Sequence, residues 1–158
     1  MPEAPGFLVE VDSVHEGPPQ DRLSAFALID VNSRWGYAEP TIRATSRASA
    51  RFVLRAQRIS PFPFRTIQTD NGSEFSKWFT KVTEHTGASH RHTRVRTPTD
   101  NAHVERFIQT LQRECLHRIP KRFTIWQKEI SDFLLYYNEE RPHMALDYQT
   151  PLQVVRRY

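Results

Sequence analysis

Cysteine is almost missing from this chain: Cys115 is the single one among 158 residues. No internal disulfide can form, which fits a reducing compartment. Long apolar runs are missing too. Nothing approaches the ~18 residues of a membrane span, and the N-terminus has no signal-peptide pattern, so a soluble intracellular chain with no membrane partner is expected. There is no internal repeat, and no sequence-reading helix-turn-helix precedes residue 7. Finger-type spacing is absent among His90, His92, His103, Cys115 and His117, which argues against structural zinc. What remains bounds one domain with one hydrophobic core. Lys and Arg number 22 against 18 Asp and Glu, with a pI near 9.5. Arg far outnumbers Lys. This balance favours a polyanionic partner, and the guanidinium fork suits phosphate.

Residues 1–6 read as a disordered lead-in. Phe7 to Val11 reads as a buried strand ending at Asp12. His15 to Arg22 carries Gly17-Pro18-Pro19 and reads as a turn. Leu23 to Val31 and Trp35 to Pro40 complete an antiparallel meander. Thr45 to Ile59 has helical period, with Thr45 or Ser46 as its cap and Ala48, Phe52, Ala56 and Ile59 as its apolar face. Arg47, Arg51, Arg55 and Arg58 line another face and read as solvated. A fourth strand, Arg65 to Thr69, leads into Asp70. A short helix, Ser76 to Thr86, closes at Gly87. Ser89 to Thr93 predicts a fifth strand, and Arg94 to Asp100 a loop. From Asn101, the residues Val104, Phe107, Ile108, Leu111 and Cys115 repeat at helical spacing, with Asn101, Glu105, Gln109 and Gln112 as a neighbouring polar stripe. Thr124 to Tyr137 gives another helix, and the remainder reads as loop with a last short turn. Trp35, Trp78 and Trp126 are expected in the core.

Two carboxylates stand out. Asp70 opens Asp70-Asn71-Gly72-Ser73-Glu74-Phe75 at a strand end, and Glu105 lies in the first turns of a helix. With Asp12 after the first strand they form a hard-oxygen set suited to Mg2+, or Mn2+ in its place, with two ions per site for phosphoryl transfer. Each has an ordinary alternative. Asp12 and Asp30 can be turn formers, Asp70 can build a turn with Asn71-Gly72, and Glu105 can be a solvated helix residue. Glu74 reads as a first-turn carboxylate favoured by the helix dipole.

These residues carry a resemblance. Val9-Glu10-Val11-Asp12, Leu28-Ile29-Asp30-Val31-Asn32-Ser33-Arg34, Thr69-Asp70-Asn71-Gly72-Ser73-Glu74-Phe75 and Asn101-Ala102-His103-Val104-Glu105-Arg106-Phe107 resemble the blocks of retroviral integrase and insertion-sequence transposase catalytic cores. Tyr137-Asn138-Glu139-Glu140-Arg141-Pro142-His143, with Leu146, Tyr148, Thr150 and Pro151, resembles the C-terminal block of bacterial transposases. The resemblance implies an α/β, RNase H-like fold: a five-stranded mixed sheet, its first three strands antiparallel, flanked by helices. It implies a core over 7–137 and a transposase-like tail over 138–158, packed on the core or extending from it. Asp12, Asp70 and Glu105 become the catalytic metal ligands, Asp12 bridging both ions. DNA becomes the partner, as element ends and target, with at least a dimer to pair two ends, in a bacterial cytoplasm. The position two after the first Asp, often Thr in relatives, is Val14.

Arg91, Arg94 and Arg96 precede the Glu105 helix and are read as phosphate contacts, with an ordinary solvated charge run as the alternative. Asn101 and Gln109 are read as DNA contacts too, although helix capping explains Asn101 equally well. The expected activity is cleavage of DNA ends and joining of a 3′-hydroxyl to target DNA. The competing readings are a hydrolytic nuclease of the same fold and a non-catalytic DNA-binding or assembly module.

Overall fold

Leu23-Ser-Ala-Phe-Ala-Leu-Ile-Asp30 alternates small and large apolar side chains, and that alternation decides how the sheet is covered. Successive side chains of a strand point to opposite faces. Ala25, Ala27 and Ile29 therefore join one hydrophobic cluster, and Phe26 and Leu28 join another. The computed structural model describes residues 2–158, and every residue of this strand, β2 (Leu23–Asp30), is buried. Where one core was expected, the sheet divides the apolar interior into two.

β2 pairs antiparallel with β1 (Val9–Glu16) and with β3 (Gly36–Thr41). β4 (Thr66–Thr69) and β5 (Ser89–His92) add parallel strands on the far side of β1, giving the order β3-β2-β1-β4-β5. This is the expected five-stranded mixed sheet. One strand end differs. The turn does not start at His15, because His15 and Glu16 still pair with Ser24 and Leu23, so Asp12 lies inside β1 opposite Ala27.

α1 (Ser46–Ile59) and α2 (Lys77–His85) cover one face with Phe52, Val53, Ala56 and Phe79. Thr45 caps α1 through the Ala48 N–H at 3.1 Å. Ile59 was expected on the apolar face but is exposed, and Ser49, Ala50 and Val53 are buried instead; the face is rotated toward the middle of the helix. α3 (Ala102–Glu114) and α4 (Phe123–Glu139) cover the other face with Val104, Phe107, Leu111, Trp126 and Ile130. Val14 and Cys115 are buried in that layer. Trp35 and Trp126 are core residues as expected. Trp78 is not: on α2 it is 51% exposed, because the buried stripe of that short helix runs through Phe79 and Thr83.

Residues 2–6 are not a loose lead-in. The Gly6 N–H donates to buried Asp30, Arg65 N–H donates to the Gly6 carbonyl, and Asn32 Nδ2 donates to the Pro2 carbonyl. Met1 lies outside the described residues. The C-terminal stretch carries short helical turns beyond the one expected. Met144–Leu146 forms a 3-10 turn, and α5 (Pro151–Val155) starts from a Thr150–Gln153 capping box and buries Val154. Proline at the first helical position and a threonine cap explain that start.

Asn138 ties α4 to the sheet edge. Its amide accepts the Gly36 N–H at 2.9 Å and donates to the Gly36 carbonyl at 2.8 Å, both buried. Asn138→Ala strands two buried backbone groups and is expected to cost about 2–4 kcal/mol. Urea unfolding checks it, and a loss under 1 kcal/mol contradicts the role.

Candidate active site

Parallel strands bring the two aspartates side by side. β1 and β4 pair at Val9–Ile67 and Glu10–Gln68, and there the ladder ends. Asp12 and Asp70 each stand two residues further on, at the same level of adjacent strands. The ends of parallel strands are the usual place for a site in such sheets. Beyond the Glu10–Gln68 pair no ladder pairing joins the two strands. Asp70 is held by the turn it begins: its Oδ1 accepts the Gly72 N–H at 2.8 Å. A Cβ on Gly72 would lie 2.0 Å from Glu74 Oε1 and 3.0 Å from Asp70 Oδ1, so a larger residue there would require the Glu74 side chain to shift.

Glu105 arrives from the other layer. Ala27, the partner of Asp12 across the ladder, is small, and α3 packs on that face through Val104 and Phe107. The Glu105 side chain is exposed in the first turn of α3, not lost in the core. Asp12 lies in an acidic surrounding. Burial pushes its carboxyl up to about 6, and the Asp70, Glu74 and Glu105 carboxylates push in the same direction, against a lowering hydrogen bond from Ser13 N–H. A carboxyl raised by burial beside like charges marks a functional-site candidate.

Glu74 is a fourth acidic member that the sequence did not disclose. It sits in a 3-10 turn ahead of α2, and Ser13 Oγ donates to its Oε2 at 3.0 Å. Reading it as a helix-dipole residue missed the contact because Ser13 lies 61 positions away. Among the described residues, no three His, Cys, Asp or Glu side chains stand at metal-ligand spacing as they are placed. The donor set nevertheless fits a hard divalent cation: carboxylate oxygens only, and a net repulsion at Asp12 that a cation would relieve.

The basic residues divide. Arg94 is tied to Asp100, with Nη2 2.9 Å from Oδ1, so it closes the 94–100 loop; this pair also holds the Asp100 carboxyl down at about 2. Arg91 donates from Nε to Gln68 Oε1 at 2.7 Å and is otherwise exposed, as are Arg96 and Gln109. Asn101 corrects its expectation. It is 4% exposed, its side chain makes no cap bond, and Oδ1 accepts from Gln68 Nε2 at 3.2 Å, so it faces protein and not solvent. Of the arginine stripe on α1, Arg55 pairs with Glu39 at 2.6 Å.

A five-stranded sheet in this order, covered by helices on both faces, is an RNase H-like fold. The HTLV-2 integrase catalytic core domain in complex with magnesium superimposes with a TM-score of 0.76 at 20% identity, covering 96% of this chain and 97% of that one. Sequence gives the family. Integrase core domain profiles match residues 2–98, which hold Asp12 and Asp70, and residues 86–151, which hold Glu105. The chain belongs to the integrase core domain family, that of integrase and transposase catalytic cores. It is 33% identical over 103 residues to the transposase of insertion sequence IS904 from Lactococcus lactis, covering 63% of this chain and 41% of the transposase. An uncharacterized protein of Caenorhabditis elegans is 28% identical over 155 residues, 97% of this chain and 12% of that protein. The chain thus spans less than half the length of these curated relatives. No helix among the described residues is long and apolar enough to cross a membrane.

Proposed function

We propose that this domain is the catalytic core of a divalent-metal-dependent DNA transferase, which cleaves DNA ends and joins a 3′-hydroxyl to target DNA by in-line phosphoryl transfer. The observation that supports the reading is the placement of Asp12 and Asp70 at the same level of adjacent parallel strands, with Glu105 in the first turn of the helix that packs over Ala27, the ladder partner of Asp12. Asp12, Asp70 and Glu105 would hold the divalent cation. Cations bound there would offset charge on the scissile phosphate and favour the deprotonated form of the attacking water or hydroxyl. The protein's own part is positioning. The Gly72 N–H aims Asp70, and the packing of α3 aims Glu105. Arg91 and Arg96, exposed on the approach to α3, would hold the phosphodiester against the acidic set. The HTLV-2 core has been solved in dimeric and trimeric forms; pairing two DNA ends would call for a dimer or larger assembly here too.

The test is an assay of labelled DNA ends and plasmid target with Mg2+ or Mn2+. Joined product that disappears in Asp70→Asn supports the reading. Cleavage without joining favours a nuclease of the same fold. DNA binding with no metal-dependent product favours an assembly module and overturns the enzymatic reading.

A further inference from the structure

Beneath the three carboxylates runs a row of polar side chains that core packing does not explain. Glu10 faces Gln68 across β1 and β4, and Gln68 faces Arg91 across β4 and β5. Glu10, Gln68 and Asn101 are each less than 5% exposed. Glu10 Oε1 accepts the Val104 N–H at 2.9 Å, and Oε2 lies 3.2 Å from His103 Nδ1. Gln68 joins Asn101 on one side and Arg91 on the other. Asn101 takes a left-handed φ of 63°, and its carbonyl accepts the N–H of Glu105 itself at 3.1 Å.

The spacing along the chain gives this row its meaning. Glu10 stands two residues before Asp12, on the same face of β1, and Gln68 two before Asp70. Asn101, His103 and Val104 all lie within four residues of Glu105. Burying a carboxylate is costly unless donors compensate it. Here the donors come from the first turn of α3, whose amides and dipole favour an anion. The buried, hydrogen-bonded carboxyl group therefore holds α3 in place, where an apolar residue would fill the space without demanding any one helix position.

We propose that Glu10, supported by Gln68 and Asn101, is a positioning residue that docks the Glu105 helix on the two aspartate strands and so sets the ligand spacing for the divalent cation. This rests on the reading of Asp12, Asp70 and Glu105 as the metal ligands. Residues that orient ligands, when removed, weaken metal binding by about 10- to 100-fold.

The test is thermal unfolding of the whole chain over a Mn2+ titration without DNA, for wild type, Glu10→Gln and Asp70→Asn. Wild type is expected to be stabilised by Mn2+ and Asp70→Asn not. Glu10→Gln should fold and need roughly 10- to 100-fold more Mn2+ for the same rise. A Glu10→Gln protein that melts lower without metal yet responds to Mn2+ as wild type does would show a structural cap only and overturn the proposal. If wild type and Asp70→Asn are equally unresponsive, the metal-ligand reading itself fails and takes this inference with it, a pattern distinct from a loss confined to Glu10→Gln. Should Glu10→Gln not fold, Gln68→Leu cuts Asn101 and Arg91 from the row. A weakened Mn2+ response in that variant supports the role, and an unchanged response overturns it.

Discussion

Replacing Asp12 by asparagine is expected to abolish DNA joining, by about a thousandfold or more, and at the same time to stabilise the metal-free protein. If Asp12 holds the cation as proposed, its loss removes several kcal/mol of transition-state stabilisation, at 1.36 kcal/mol per tenfold in rate. The gain in stability has a separate cause. The Asp12 carboxyl is raised from 3.8 to about 6 by burial first, and then by Asp70, Glu74 and Glu105. Its folded pKa lies above its unfolded one, so the native state holds the extra proton between about pH 4 and pH 6. The stabilisation that the protonated group retains is full below about pH 4 and is lost as pH rises through 6. Above that, the ionised carboxylate costs the fold up to about 3 kcal/mol, and less where water reaches it. Asparagine cannot ionise, and its Oδ1 can still accept the Ser13 N–H. Asp12→Asn should therefore exceed wild type by about 1–3 kcal/mol at pH 7.5 in chelator, and match it near pH 4. Chemical unfolding at the two pH values checks this. Equal stability of the two proteins at pH 7.5 would contradict the electrostatic account of the site.

The second large effect belongs to the packing behind Glu105. Phe107→Ala should cost about 3–5 kcal/mol out of a total of roughly 5–15 for a domain. That corresponds to a fall in Tm on the order of 10 °C. Phe107 is 2% exposed, and its ring centroid lies 4.9 Å from that of Tyr137. It also covers Gly36 so closely that a Cβ there would stand 2.7 Å from Cε1. Gly36→Ala alone should therefore destabilise by about 1–3 kcal/mol through overpacking. In the Phe107→Ala background the added methyl enters vacated space, so the double variant should be less destabilised than the two losses together. Thermal and urea unfolding of the four proteins of the cycle decide it. Strict additivity would mean that ring and glycine do not share that space.

Much of the sheet was legible because its signals are local. The apolar runs at Val9 and Leu23, the break at Asn32-Ser33, the Thr45 cap and the Val104–Leu111 period each identify an element within a few residues. The family blocks around Asp12, Asp70 and Glu105 were legible for the same reason. What escaped depends on partners far along the chain. Glu10 reads as one polar residue inside a strand until Val104, 94 positions later, is found donating to it. Glu74 reads as a dipole residue until Ser13 reaches it. Asn101 reads as a cap or a DNA contact, because nothing local reveals that Gln68 buries it. Trp78 reads as core because indole area usually is buried, yet a short helix has only one face to hide.

The chain by itself determined the kinds of element, their order and the acidic residues able to serve as ligands, since propensity, period and turn chemistry act over a few residues. Only the tertiary structure decided which residues surround those carboxylates. β4 lies parallel to β1, α3 closes over Ala27, and that juxtaposition makes Asp12 a strained acid, Glu74 its neighbour and Glu10 the anchor beneath it, because burial and charge act through space and not along the chain.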